Sequence, residues 1–244
     1  MAQAPMHIAA NSSRLVRFLA ELGAASGQAP PRNFSERMGQ LFDLHDSIKI
    51  SAVHARAAAA TFEPTAVSRE AVKADFLRAR ATIVNSALQS FTPGGGQTRL
   101  RFPTVTAQIS LEATMTCEPY LAFYAARQRA MDFRIRDLQA ATREALSGLS
   151  PRLARLAALD AALGEPLSTH HRHFFAAVGD LLRQRIEHQI EQYRRAAELH
   201  EERLWAATVA QIRADMQGLL LAEIETRLLP TLGLIEALDE QDED

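Results

Sequence analysis

The stretch "STHHRHFF", residues 168–175, sets three of the chain's eight histidines within four positions. Imidazole is the commonest protein ligand for metals and the side chain whose charge changes nearest neutral pH. On a helix, His170 and His173 share a face at i, i+3, while His171 points about a quarter turn away. Two ligands do not hold a transition metal tightly, so the same face must supply more. The next candidates along it are Asp180, Gln184, His188 and Glu191. Asp180 lies about 10 Å past His173 at the helical rise, too far to share one ion without ligands from another helix. The opposite face carries Phe174, Val178, Leu181, Leu182, Ile186 and Ile190. These histidines are therefore expected on the water side near a helix start, with a metal site at His170 and His173 as the alternative. His200 falls on the apolar progression Ile186, Ile190, Tyr193, Ala197, Leu204 and reads as a hydrogen-bonded seam residue.

Other reactive groups are few. The single cysteine, Cys117, excludes an internal disulfide framework and a cysteine-rich zinc module. A catalytic thiol needs a neighbour that lowers its pKa, and the adjacent Glu118 does the reverse. Gly94 to Gly96 lack the lysine and the helix that a phosphate-binding loop requires, so they read as a hinge. Between 127 and 155 lie seven arginines (127, 129, 134, 136, 143, 152, 155). They could line a nucleic-acid stripe. Pairing inside a bundle is the stronger reading, with Glu187, Glu191, Glu198, Glu201 and Glu202 as the acidic counterpart. G-x-S-x-G, H-E-x-x-H, C-x-x-C and dinucleotide glycine motifs are all missing, so no enzymatic activity and no cofactor is expected.

The elements that position these residues follow from composition. The 244 residues include 44 alanines and 25 arginines against 3 tyrosines and 1 tryptophan, a mixture that favours helix nearly throughout. A net charge of −2 gives the molecule as a whole no pull toward nucleic acid or anionic membrane. No uncharged apolar run approaches the roughly 20 residues that cross a bilayer, and "RLVRFLAELG" is too charged for a signal-peptide core. The expectation is a cytoplasmic protein without membrane insertion.

Helices are predicted after Asn11–Ser13, after Asn33 and after Asp46. A longer one follows the cap Ser68, with a stripe of Val72, Phe76, Ala79, Ile83, Ala87 and Phe91. Residues 98–116 hold β-branched residues, but Pro103 and the lack of a partner strand make them an irregular connector. Glu118-Pro119 opens a helix to about Leu149. Its seam of Leu121, Tyr124, Gln128, Met131, Ile135, Leu138, Thr142, Ala145 and Leu149 alternates threes and fours, with two polar members. Ser150-Pro151 starts a short helix that Gly164 should end. Residues 168–229 then read as helical, stopped by Pro230, and the acidic tail reads as a solvated end.

"YLAFYAARQRAMDFRIRDLQAATREAL", "SPRLARLAALDAALG" and "DMQGLLLAEIETRLLPTLGLIEAL", with the N-terminal "SSRLVRFLAELG" and "NFSERMGQLFDLHDSIKISA", resemble the uncharacterised proteobacterial domain-of-unknown-function family 3348. The resemblance thins between about 92 and 116. It brings no assigned activity or functional residues. It implies a GC-rich source and a cytoplasmic component of an envelope-linked system.

The resulting expectation is all-α: an elongated helical bundle with a long C-terminal, coiled-coil-like hairpin. Its regions are an N-terminal helical region (1–92), a hinge and connector (93–117), a long-helix region (118–238) and an acidic tail (239–244). Met131, Ile135 and Leu138, facing Trp205, Val209, Ile212, Met216, Leu220, Ile224 and Leu228, are the predicted interaction residues. Stripes of this length expose more apolar surface than a short partner helix covers. A non-enzymatic adaptor that forms a homodimer and binds a protein partner is expected.

Overall fold

The computed structural model describes residues 14–15, 17–19, 51–52, 55, 64–92, 101–104, 110–196 and 201–240; the side chains of 165–174, 176–177 and 201–203 lie outside that description. The fold is all-α, with no strand among the described residues. Five helices have defined bounds: α1 (Arg69–Ser90), α2 (Leu111–Thr114), α3 (Glu118–Ser147), α4 (Pro151–Ala196) and α5 (Glu201–Glu236). The predicted segment around 33–42, the Gly94–Gly96 hinge and His200 lie outside the described residues.

Local signals set several ends as the sequence predicts. Ser68 Oγ accepts from the Ala71 N–H at 3.1 Å and caps α1. Ser150 Oγ does the same for the Leu153 N–H at 3.2 Å, with Pro151 in the first turn of α4. Pro119 opens α3. The α1 stripe is buried at Val72, Phe76, Ile83, Ala87 and Phe91.

Helix α3 is the centre of the assembly and packs against α1, α4 and α5. Three neighbours require a buried face wider than a two-helix seam. Tyr120, Phe123, Arg127 and Leu146 are accordingly buried beside Tyr124, Met131, Ile135, Leu138 and Thr142. Helices α4 and α5 lie antiparallel: Phe175 meets Arg227, Arg185 meets Asp215, and Tyr193 meets Trp205. Buried residues from Leu15 to Leu238 belong to one cluster, so the regions on either side of 93–117 share a core. At the N-terminal end, Leu15 is buried and Arg14 pairs with Glu225 at 2.9 Å. Phe18 lies over Gly218, where a Cβ would stand 2.7 Å from the ring. That glycine, a weak point in a helix by propensity, is the seat of the N-terminal docking.

Two predicted helix ends are overturned. Gly164 does not stop α4, which runs on through Pro166 to Ala196. Glycine and proline in a helix interior cost about 1 and 3 kcal/mol relative to alanine. Leu153 and Ala157 before them, and Phe175, Val178 and Leu182 after them, join one core. Burying each large side chain is worth about 1.5–3 kcal/mol, so a continuous helix wins. Pro230 likewise sits inside α5, which continues to Glu236. Proline has no N–H, so the Thr226 carbonyl four residues back loses its helical donor, and the ring crowds and loosens that turn. Gln139 Nε2 of α3 donates to the next carbonyl in the loosened turn, that of Arg227, at 3.0 Å. Leu234, Ile235 and Leu238 beyond the proline are buried and hold the last turns down.

The first residues of the acidic tail, Asp239 and Glu240, are exposed to solvent and are also tethered. Arg69 donates to the Leu238 carbonyl at 3.1 Å, Lys73 binds the Asp239 carboxylate at 2.7 and 2.9 Å, and Arg152 pairs with Glu240. The first acids of the tail are thus tied to the starts of α1 and α4, because Leu238 plugs the core and delivers them there. Residues 241–244 lie outside the described residues.

Gln139→Ala should lower stability by about 1 kcal/mol by removing the donor to the loosened carbonyl. In a Pro230→Ala background, where the helix regains its own N–H, the same change should cost less. A double-mutant cycle by chemical denaturation measures this; equal costs in both backgrounds would show that Gln139 does not compensate for the proline.

Candidate functional site

The most concentrated set of interacting ionisable and polar groups lies between α3 and α5. Its centre is Glu223, buried to 1% exposure. An unpaired carboxylate at that depth costs several kcal/mol, so its partners decide whether the fold can hold it. Tyr124 Oη donates to Glu223 Oε1 at 2.6 Å. Gln128 Nε2 reaches both oxygens, at 2.9 and 3.1 Å. Arg227, one turn on in α5, donates from Nη2 to Oε2 at 3.3 Å. The other arm of Arg227 binds Asp132 at 2.7 Å, and its guanidinium lies 3.8 Å from the centre of the Phe175 ring on α4. Asp132 then pairs outward with Arg136. Burial pushes the Glu223 carboxyl above the ordinary carboxylate range, while Tyr124, Arg227 and Gln128 pull part of that shift back. Tyr124 is raised well above the usual phenol range by burial first and by the adjacent Glu223 charge second. The chain of polar contacts runs from the surface at Asp132 to the interior. Both oxygens of Glu223 accept hydrogen bonds from the protein's own donors, an arrangement that ties α3 to α5.

A second cluster joins α4 to α5. Asp215, 8% exposed, accepts from Arg185 at 3.0 Å, Gln189 at 3.0 Å and Gln211 at 2.7 Å. A third holds the connector. Phe91, Phe102, Tyr120 and Phe123 form tilted and edge-to-face pairs with centroids 5.2–6.0 Å apart. Arg127 lies 4.9 Å from the Phe123 ring and Arg213 4.7 Å from the Phe102 ring. Cation–π contacts of this kind are worth about 0.5–2 kcal/mol as water is excluded. Burial lowers the Arg127 pKa, as expected for a cation taken from water. Thr114 on α2 completes the join: its carbonyl accepts from Tyr120 at 3.1 Å, and its hydroxyl accepts from Trp205 Nε1 at 3.1 Å.

The sequence-predicted residues fall as follows. Cys117 is buried, with Glu118 at 3.4 Å, Glu187 at 3.5 Å and Arg183 at 3.3 Å. Burial first, then the two carboxylates, push the thiol up to about 11, against a smaller opposing pull from Arg183. The neighbour effect read from Glu118 is present, and burial adds to it. The backbone of His170, His171 and His173 is helical within α4, and their side chains lie outside the described residues. Among the described residues, no group of three His, Cys, Asp or Glu side chains could hold a metal ion. The arginine stripe is dispersed: Arg127 is buried, Arg136 pairs with Asp132, Arg143 with Asp160 at 2.8 Å, and Arg152 with Glu240. Of the acids expected to meet these arginines, Glu191 pairs with Arg195 on its own helix and Glu187 faces Cys117, while Glu198 and the side chains of Glu201 and Glu202 lie outside the described residues.

The ten residues predicted to pack along the helix seams lie inside the chain. Met131, Ile135, Leu138, Trp205, Val209, Ile212, Met216, Leu220, Ile224 and Leu228 are all buried by the chain's own helices. They are packing residues, and none presents a free surface, because α1, α3, α4 and the N-terminal residues close over the stripes. Sequence reasoning missed Glu223 and Asp215. The signal available was a carboxylate falling within an apolar stripe, Glu223 between Leu220 and Ile224 and Asp215 next to Met216.

A family model described as "Protein of unknown function (DUF3348)" matches residues 1–240. The chain belongs to this family. No curated protein and no solved structure matches it. For this DUF3348 chain, no helix among the described residues is long and apolar enough to cross a membrane.

Glu223 gives a signed pH test. Its folded-state pKa is raised, so its contribution to stability is full below the unfolded value near 4.5 and is lost as pH rises through the folded value. Relative to Glu223→Gln, the wild type should gain stability as pH falls toward 4.5, with a slope of at most about 1.4 kcal/mol per pH unit. Parallel stability curves for the two proteins across that range would refute the raised pKa. For Cys117, alkylation in the native state should be slow at neutral pH and accelerate toward pH 11, whereas the unfolded chain should react near pH 9. Equal rates in native and denatured protein at pH 8 would contradict it.

Proposed function

We propose that this chain is a non-enzymatic helical adaptor or scaffold, acting in the cytoplasm, that associates with itself and with another protein. One observation carries the reading: the two buried carboxylates and the cysteine among the described residues are engaged by side chains of neighbouring helices. Glu223 is enclosed by Tyr124, Gln128 and Arg227, Asp215 by Arg185, Gln189 and Gln211, and the Cys117 thiol is held protonated. The outer surface is where recognition must occur. Its most exposed large hydrophobic residue among those described is Phe133 on α3, at 63% exposure. Isolated exposed hydrophobic residues are ordinary, but a fully presented phenylalanine on a central, rigid helix supports a contact role more than a reactive one. The shared core makes the whole body a stiff platform rather than a pair of domains closing on a ligand.

Sedimentation equilibrium over a wide concentration range should show reversible self-association, and the melting temperature should rise with protein concentration. A monomer at every concentration, together with failure to co-purify any stoichiometric protein from its native cell, would remove the proposal.

A further inference from the structure

The outer face of α3 carries an internal symmetry. Ala122, Ala126, Arg129, Phe133, Asp137, Ala140 and Glu144 follow one another at spacings of three and four, so they lie along one side of the helix. Six of them are exposed and Ala126 is half-buried. No ion pair or hydrogen bond engages Arg129 or Asp137 among the described residues, whereas the neighbouring Asp132 and Arg136 hold each other.

We propose that this face is a two-fold docking surface for a second copy of the chain, with the two α3 helices antiparallel and Phe133 on the axis. This rests on the self-association reading above and names its surface. In an antiparallel pair centred on Phe133, residue n of one copy faces residue 266 − n of the other, so that positions 129 and 137 are opposite (129 + 137 = 266). Arg129 then meets Asp137 of the second copy, and the symmetry repeats that pair on the other side of the axis. One helical turn farther out, Ala126 falls opposite Ala140, and small side chains there let the backbones approach closely. On the shoulder, Arg134 falls opposite Asp132. Opposite charges thus coincide at 129 and 137 and small residues at 126 and 140, with Ala122 opposite Glu144 at the ends of the stripe, while the parallel alternative stacks Arg129 on Arg129 and Asp137 on Asp137. The stripe from Ala122 to Glu144 is about 33 Å long and one helix wide. That area is below a standard stable interface, so the dimer is weak, reversible and loosened by salt.

Charge reversal tests the register. Arg129→Asp and Asp137→Arg each place like charges against each other twice in a homodimer and should weaken self-association roughly tenfold or more. Mixed in equal amounts, the two variants restore both opposite pairs, and the mixture should dimerise about as well as the wild type. Phe133→Asp should abolish association with helicity unchanged. If the wild type associates but the single reversals leave its affinity unchanged, or the mixture fails to recover, the α3 register is overturned while self-association stands. If the wild type never associates, both are overturned.

Discussion

The rest of the structure depends on the cost of keeping the Glu223 carboxylate away from water. A buried, unpaired charge would destabilise the fold by several kcal/mol, a large fraction of the margin by which any domain is stable. Tyr124, Gln128 and Arg227 offset much of that cost only when they stand where they do. Apolar stripes alone do not enforce this, because leucine and isoleucine at spacings of three and four leave several registers of similar energy. A slip of α5 by one residue turns Glu223 by about 100° and strands it against hydrocarbon. The polar contact therefore selects one alignment of α3 and α5 among those that burial permits. Arg227 carries the selection to a third helix, since its guanidinium rests on Phe175 of α4 while its other arm holds Asp132.

Asp215 performs the same selection between α4 and α5, about two helical turns nearer their junction. With two polar anchors spaced along the pair, rotation of either helix breaks one of them. The stripes on α3 and α5 are then committed to partners inside the chain, which is why the residues with the greatest apolar area are unavailable to other molecules. Outward-facing positions carry alanine, arginine and acidic residues, with a few isolated hydrophobic residues among them.

Much of the helix content was legible from the sequence because caps and stripes are local. Ser68, Ser150 and Pro119 act within one turn of their own positions, and Val72 to Phe91 or Tyr124 to Thr142 show their inner face by spacing alone. What was not legible depends on residues far away in sequence. Gly164 and Pro230 are correct stop signals by propensity, and they lose to burial on both sides and, for Pro230, to a donor 91 residues earlier, Gln139. The candidate site was half visible: Gln128 and Thr142 stood out as polar members of a seam, but their counterparts could not be assigned. Gln128 answers Glu223 across 95 residues, whereas Thr142 turns back to the Leu138 carbonyl at 2.8 Å and answers nothing across the seam.

The arginines show why charge counted along a chain differs from charge on a face. Between 127 and 155 the helix turns about 100° per residue, so neighbours in sequence are sent in different directions. Arg127 enters the core over Phe123, Arg143 joins α3 to α4 through Asp160, and Arg152 secures the tail. Of the seven arginines between 127 and 155, Arg129, Arg134 and Arg155 stand exposed without an ion pair to a described residue. The same turning that dissolves a basic stripe gathers Arg129, Phe133 and Asp137 onto one edge, where charge of both signs surrounds an aromatic ring. A surface of mixed sign with an apolar centre is suited to a partner of similar make-up rather than to a uniformly charged one.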